Sequence, residues 1–172
     1  MGNYAVVRLD NLSGQDVHAD MRSVRIYDGT GASANKIAAE NGVFVVPNGL
    51  EADQREIFKA TLATTTSKPD NVLLVATPEV TYDERKPGLD DFTNEAGNAA
   101  RAYVLRRGDI FSVTAAGFAG GTVPTKGSTV GFGANGKIAA SGSGLGTCID
   151  INVVGKYTFY AIQFGVTEYS AS

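Results

Sequence analysis

The chain contains no Trp, one Cys and one His. Cys148 alone cannot close an internal disulfide, and His18 alone cannot supply a multi-histidine centre. Together they exclude a tetrahedral Cys/His zinc site within one chain. A basic excess is also missing: 15 Lys and Arg stand against 18 Asp and Glu, a net charge of −3. Non-specific nucleic-acid binding needs a basic face, so no nucleic-acid partner is expected. No apolar run approaches the ~20 residues of a membrane-spanning helix, and no membrane partner is expected. The first residues, MGNYAVVRLDN, lack a basic stretch followed by an apolar one, so a secretory leader is not expected. Met1-Gly2 is followed by Val at position 6, where a myristoylation pattern needs Ser or Thr.

What is abundant is glycine, 21 of 172 residues, against a usual ~7%. Hydrophobic residues make up 43% and charged residues 19%. A helical bundle needs less Gly, and a disordered chain needs fewer apolar residues and more charge. The length suits one domain or two very small ones, able to bury roughly 70% of the unfolded surface.

Period-2 patterning dominates. Residues 4–9 (YAVVRL), 23–27 (SVRIY), 42–47 (GVFVVP) and 56–62 (EIFKATL) read as strands, closed by turns such as Asp28-Gly29 and Pro47-Asn48-Gly49. Residues 71–77 (NVLLVAT) are almost wholly apolar, which suits a strand covered on both faces, and residues 80–82 extend it beyond Pro78. The character then changes. Residues 89–103 (LDDFTNEAGNAARAY) place Phe92, Ala96, Ala99, Ala100 and Tyr103 near helical spacing. They predict one short helix capped by Asp90 or Asp91 and weakened by Gly97. Strands resume at 102–106, 110–115, 129–132, 137–139, 148–153 and 157–164. Asn135-Gly136 is a type I′ hairpin signal. Residues 157–164 (YTFYAIQF), apolar on both faces, predict a central strand or an edge that a partner covers.

The expected fold is therefore mainly β: a small β-barrel or sandwich with one short helix, as one domain or two β subdomains. A composition shift near Gly117 suggests residues 1–116 as a β-rich part with the helix near 90–100. Residues 117–172 then form a Gly-rich part that completes or forms a small barrel, unless the whole is one domain. Those last 56 residues hold 12 of the 21 glycines and five charged side chains: Lys126, Lys137, Asp150, Lys156 and Glu168.

Chemical signatures are sparse. Gly131–Gly136 matches G-x-G-x-x-G, but a dinucleotide fold needs those glycines between a strand and a helix. Here a strand-like stretch follows, so the pattern reads as a glycine-rich β-turn, as does 142–146 (GSGLG). Asp83-Glu84 and Asp90-Asp91 are acidic pairs beside Arg85 and Lys86. They suit solvated charge or a partner contact; calcium ligation or an acid–nucleophile pair draws on the same residue types. His18 reads as a surface loop residue, and Cys148 as a small buried apolar one. Asn11-Leu12-Ser13 is a formal glycosylation sequon. Five aromatics, Tyr157, Phe159, Tyr160, Phe164 and Tyr169, crowd the last 16 residues. They serve either core packing or a protein–protein surface. No cofactor is expected.

Residues 76–85 (ATPEVTYDER), 89–103 (LDDFTNEAGNAARAY) and 106–115 (RRGDIFSVTA) resemble capsid decoration, or cement, proteins of tailed bacteriophages. Residues 4–11 and 40–51 are similar too, and the Gly-rich final portion resembles the small β-barrel common among them. The resemblance implies a non-enzymatic virion protein that binds the outer surface of the major capsid protein shell and stabilises the head. It also implies an oligomer on the capsid, made in the bacterial host cytoplasm. Tyr82, Asp83, Arg85, Asp91 and Phe92 combine anchors and charges and are the candidate capsid contacts on chemistry alone. Other expectations are a tail component, a head-fibre base or a β-sheet carbohydrate-binding module.

Overall fold

The computed structural model describes residues 4–9, 21–80 and 88–166. Its first five strands are β1 (Met21–Tyr27), β2 (Phe44–Leu50), β3 (Ile57–Leu62), β4 (Leu73–Val75) and β5 (Ala100–Val104). They close into a barrel in the order β1-β3-β2-β4-β5. The β1–β3 pair is parallel and the other four pairs are antiparallel. The next five are β6 (Ile110–Thr114), β7 (Thr129–Phe132), β8 (Ile138–Ala139), β9 (Gly144–Val154) and β10 (Tyr157–Phe164). They form an antiparallel sheet ordered β6-β10-β9-β7-β8. The fold is mainly β, as its period-2 patterning predicts.

Side-chain alternation explains how barrel and sheet fuse. Val24 and Ile26 of β1, Val45 of β2, Ala60 of β3, Leu73 and Val75 of β4, and Ala100 and Ala102 of β5 share the barrel's interior cluster. A five-stranded barrel has little internal room, and Ala at three of these positions suits it. Phe44 and Leu74, out of phase with those residues, join the second cluster with Phe111, Phe132, Leu145, Ile162 and Phe164. β4 is thus covered on both faces, which accounts for the unbroken apolar run at 72–76. Phe44 is fully buried. Its ring meets Phe111 and Phe132 edge-on at 5.7 and 5.5 Å and stacks near Phe164 at 6.3 Å.

Two smaller devices lock the sheet to the barrel. Asn135 (φ 56°) and Gly136 (φ 73°) form the turn between β7 and β8. Lys137 N–H donates to Ala134 O at 3.1 Å, closing it. Both central residues take positive φ, as a type I′ turn requires. The turn docks on the barrel, where Gly136 N–H donates to Ala63 O at 2.8 Å. Glu40 accepts from the Lys137 ammonium at 2.9 Å and from Ala5 N–H at 2.8 Å.

The helix expected over 89–103 is not there. One 3-10 turn, Leu89–Asp91, remains, and Ala100–Val104 is barrel strand β5. The buried Asn94 is the reason. Its backbone exchanges hydrogen bonds with Ala39 at 2.8 and 3.0 Å. Its amide donates to Ala39 O at 3.0 Å and to Asn41 Oδ1 at 3.2 Å. Those partners replace helical ones, and the alanines that looked helical fill the barrel. Residues 4–9 also differ from expectation. They make a single bridge, Val7 to Val113, rather than a strand. Val80 ends a tight turn, its N–H donating to Pro78 O at 2.8 Å.

At the end of β2, Glu51 binds three elements together. It accepts from the Tyr27 hydroxyl at 2.7 Å, Arg25 at 2.6 Å and Lys36 at 3.3 Å. Burial alone would raise the Glu51 pKa, but these donors outweigh it and hold the carboxyl at about 2, against an ordinary 4.5. The ionised form is therefore favoured by folding. Its contribution is complete above pH 4.5 and is lost as pH falls through about 2. Allowing for solvent at the rim of the cluster, about 1–3 kcal/mol is expected. Urea unfolding of Glu51→Gln should show a flatter loss of stability across that acid range than the parent. Equal slopes would refute the assignment.

Candidate interaction surface

The 3-10 turn Leu89–Asp91 sits against the β9–β10 hairpin. Asp90 Oδ1 accepts from the Tyr157 hydroxyl at 2.7 Å and from the Lys156 ammonium at 3.3 Å. The Tyr157 bond is the main reason the Asp90 carboxyl titrates below its usual range. Burial, then the neighbouring Asp90, pushes the Tyr157 phenol up. Hydrogen bonding to the Tyr157 oxygen and to Asp90 raises the Lys156 pKa, and its ammonium lies 4.8 Å from the Tyr157 ring centre. Asp90 O also accepts from Tyr4 N–H at 3.2 Å. Turn, hairpin and N-terminal segment are thus pinned around one residue, Asp90.

Beside this clasp lies an open groove of roughly 360 Å³, lined by Leu9, Leu89, Val154, Tyr157 and Phe159 among others. Leu89 and Val154 are each 45% exposed. Its charged rim includes Arg8, with a guanidinium 5.6 Å from the Phe159 ring centre, and Glu79. Burial raises the Glu79 pKa, opposed by hydrogen bonds from Asn41 and Val7. An apolar centre with a charged rim is the anatomy of a protein-binding patch.

Of the residues singled out for partner contact, Asp91 and Phe92 fall in the clasp's own turn. Asp91 Oδ2 accepts from Gly88 N–H at 3.2 Å, so its carboxylate caps the turn. Phe92 is half-buried and its N–H donates to Leu89 O at 3.3 Å. Tyr82, Asp83 and Arg85 lie outside the described residues, as do Glu84, Lys86, His18, the sequon at 11–13 and Tyr169. Sequence reading passed over Leu89, Lys156 and Val154. The Asp90–Tyr157 bond spans 67 positions, and no local pattern signals it.

The remaining chemical candidates resolve into structure. Gly131–Gly136 runs from β7 through the type I′ turn toward β8, a glycine-rich turn as expected. Cys148 is buried in β9, and burial pushes its thiol pKa up, so little reactive thiolate forms at neutral pH. Among the described residues, no three His, Cys, Asp or Glu side chains gather as a metal site. Compared with known proteins, the chain matches no protein-family model, no curated protein and no solved structure.

Proposed function

We propose that this chain is a non-enzymatic structural protein of a tailed-phage virion. It seats on the outer surface of the major capsid protein shell and reinforces the head. The observation that carries the reading is the patch formed by Leu89 and Val154, each 45% exposed, over the buried Phe159, with Arg8 and Glu79 at its rim. The resemblance of residues 76–115 to capsid decoration proteins supports the same reading. The mechanism is mechanical. Apolar side chains bury against neighbouring capsid subunits, so internal genome pressure must break additional contacts. A capsid repeats identical sites, and oligomeric copies bound side by side add their weak contacts through effective concentration.

Purified protein mixed with capsids that lack it should co-sediment with them and raise their thermal tolerance. Leu89→Asp puts a charge into the centre of the patch while leaving the buried core untouched. It should weaken capsid binding by about tenfold or more, the order expected for losing a central apolar anchor. Failure of the parent protein to bind any capsid from the same genome would defeat the proposal.

A further inference from the structure

Among the described residues, the second half of β9 is an open sheet edge. β10 pairs with β9 out to Val154, whereas β7 pairs with it only from Gly144 to Thr147. Cys148 is the last β9 residue bonded on that side among the described residues, to Ser128 O and from Gly127 N–H. Beyond it come Ile151, 38% exposed, and Val153, 74% exposed, the most exposed large hydrophobic side chain among the described residues.

Backbone alternation shows which groups point outward. Thr114 N–H donates to Val6 O, and Ser112 O accepts from Arg8 N–H. Phe111 and Val113 therefore turn their backbone groups to Ile162 and Tyr160 of β10. The next residues of that alternation, Phe159 and Tyr157, face Asn152 and Val154. The N–H and C=O groups of Ile151 and Val153 are left pointing off the sheet. Edge strands are ordinarily protected by Lys, Pro or a bulge. Residues 151–154 (INVV) carry no Lys and no Pro, and the bulge of this strand lies earlier, opposite Ala161/Ile162.

We propose that this edge pairs antiparallel with the same edge of a second copy, about a two-fold axis at Asn152. The register sets Ile151 against Val153 of the other copy, twice over. All four outward backbone groups then bond, and both exposed apolar side chains lie against each other on one face. Charge favours a second copy as the occupant. Asp150, 3.1 Å from Lys126, sits at one end of the edge, and Lys156, in the turn after β9 and 3.3 Å from Asp90, at the other. Two-fold pairing sets Asp150 opposite Val154 of its mate, beside the turn that carries Lys156, so each ammonium gains a second carboxylate at either end. The pairing is short, at the weak end of specific interfaces, so it forms at high local concentration. It stands independently of the capsid reading, and each can fail without the other.

Sedimentation equilibrium from about 10 μM to about 1 mM should show the mass rising from 17.9 kDa toward twice that value. The amides of Ile151 and Val153 should exchange with solvent about tenfold more slowly at the upper concentration. Val153→Pro, which removes one outward N–H, and Val153→Arg, which keeps the backbone intact, should both stay monomeric with parental circular dichroism. Asp150→Lys and Lys156→Asp should each weaken association about tenfold, and an equimolar mixture of the two should restore it. A parent chain monomeric at the upper concentration would overturn the pairing. So would a dimer that survives both Val153 variants, or edge amides protected only when capsids are added.

Discussion

Phe44→Ala is expected to lower stability by about 3–5 kcal/mol, or about 8–16 °C in Tm for a chain of this size. Phe44 belongs to a barrel strand, yet its ring packs with Phe111 of β6, Phe132 of β7 and Phe164 of β10. Truncation therefore empties the joint between barrel and sheet. The cavity cannot collapse easily, because three aromatic rings from three strands line it and each is fixed by its own strand. Calorimetry should show one transition in both proteins, moved down as a whole in the variant. Phe44→Leu, which fills most of the space, should lose less than half as much. A loss below about 1 kcal/mol would mean that the joint relaxes around the gap and that Phe44 is not its keystone.

Gly146→Ala is expected to cost about 3 kcal/mol or more. Gly146 of β9 lies opposite Phe164 of β10. A Cβ there would overlap the Gln163 carbonyl oxygen and stand 2.9 Å from its carbonyl carbon. The obstacle is backbone of the interior strand β10, so no side chain can swing aside to relieve it. Gly31→Ala is the matching control: a Cβ there meets nothing within 4 Å. It should be neutral or slightly stabilising through the unfolded state. Chemical denaturation of both variants separates close approach from backbone entropy, and equal effects at the two sites would contradict the packing described here.

Strand positions were largely legible in the sequence. Thr129–Phe132 and Tyr157–Phe164 match the patterned segments residue for residue, because alternation and turn residues are local signals. The both-face burial of β4 was legible for the same reason: five successive apolar residues, Val72–Ala76, leave no face for water. Barrel closure was not legible. It depends on which strands become neighbours, and the parallel β1–β3 pair leaves no mark on either segment. Ala100 and Ala102 misled because a small side chain serves equally as a helix former and as a filler for a narrow barrel. The interaction surface was the least legible part. Residues 151–154 look like any strand, and only the pairing of β9 on each side shows that one edge is open. Asp90 was read as half of an acidic pair with Asp91. In the structure the two diverge, Asp91 capping its own turn and Asp90 reaching to the distant hairpin.

The position of β10 has a consequence for how the molecule is made. It is the last described strand to leave the ribosome, yet it lies inside its sheet, between β6 and β9. Until it arrives, β6 and β9 have no contact through which to recognise each other. Phe111 and Val113, buried in the finished molecule, have Phe44 and Val7 as earlier-made neighbours but lack their β10 partners until then. The β-hairpin built from β7 and β8 cannot resolve this, because it joins the sheet only through β9. Completion therefore comes late and all at once, a slow step dominated by long-range pairing. A chain interrupted before Tyr157 loses an interior strand of its second sheet rather than a dispensable edge.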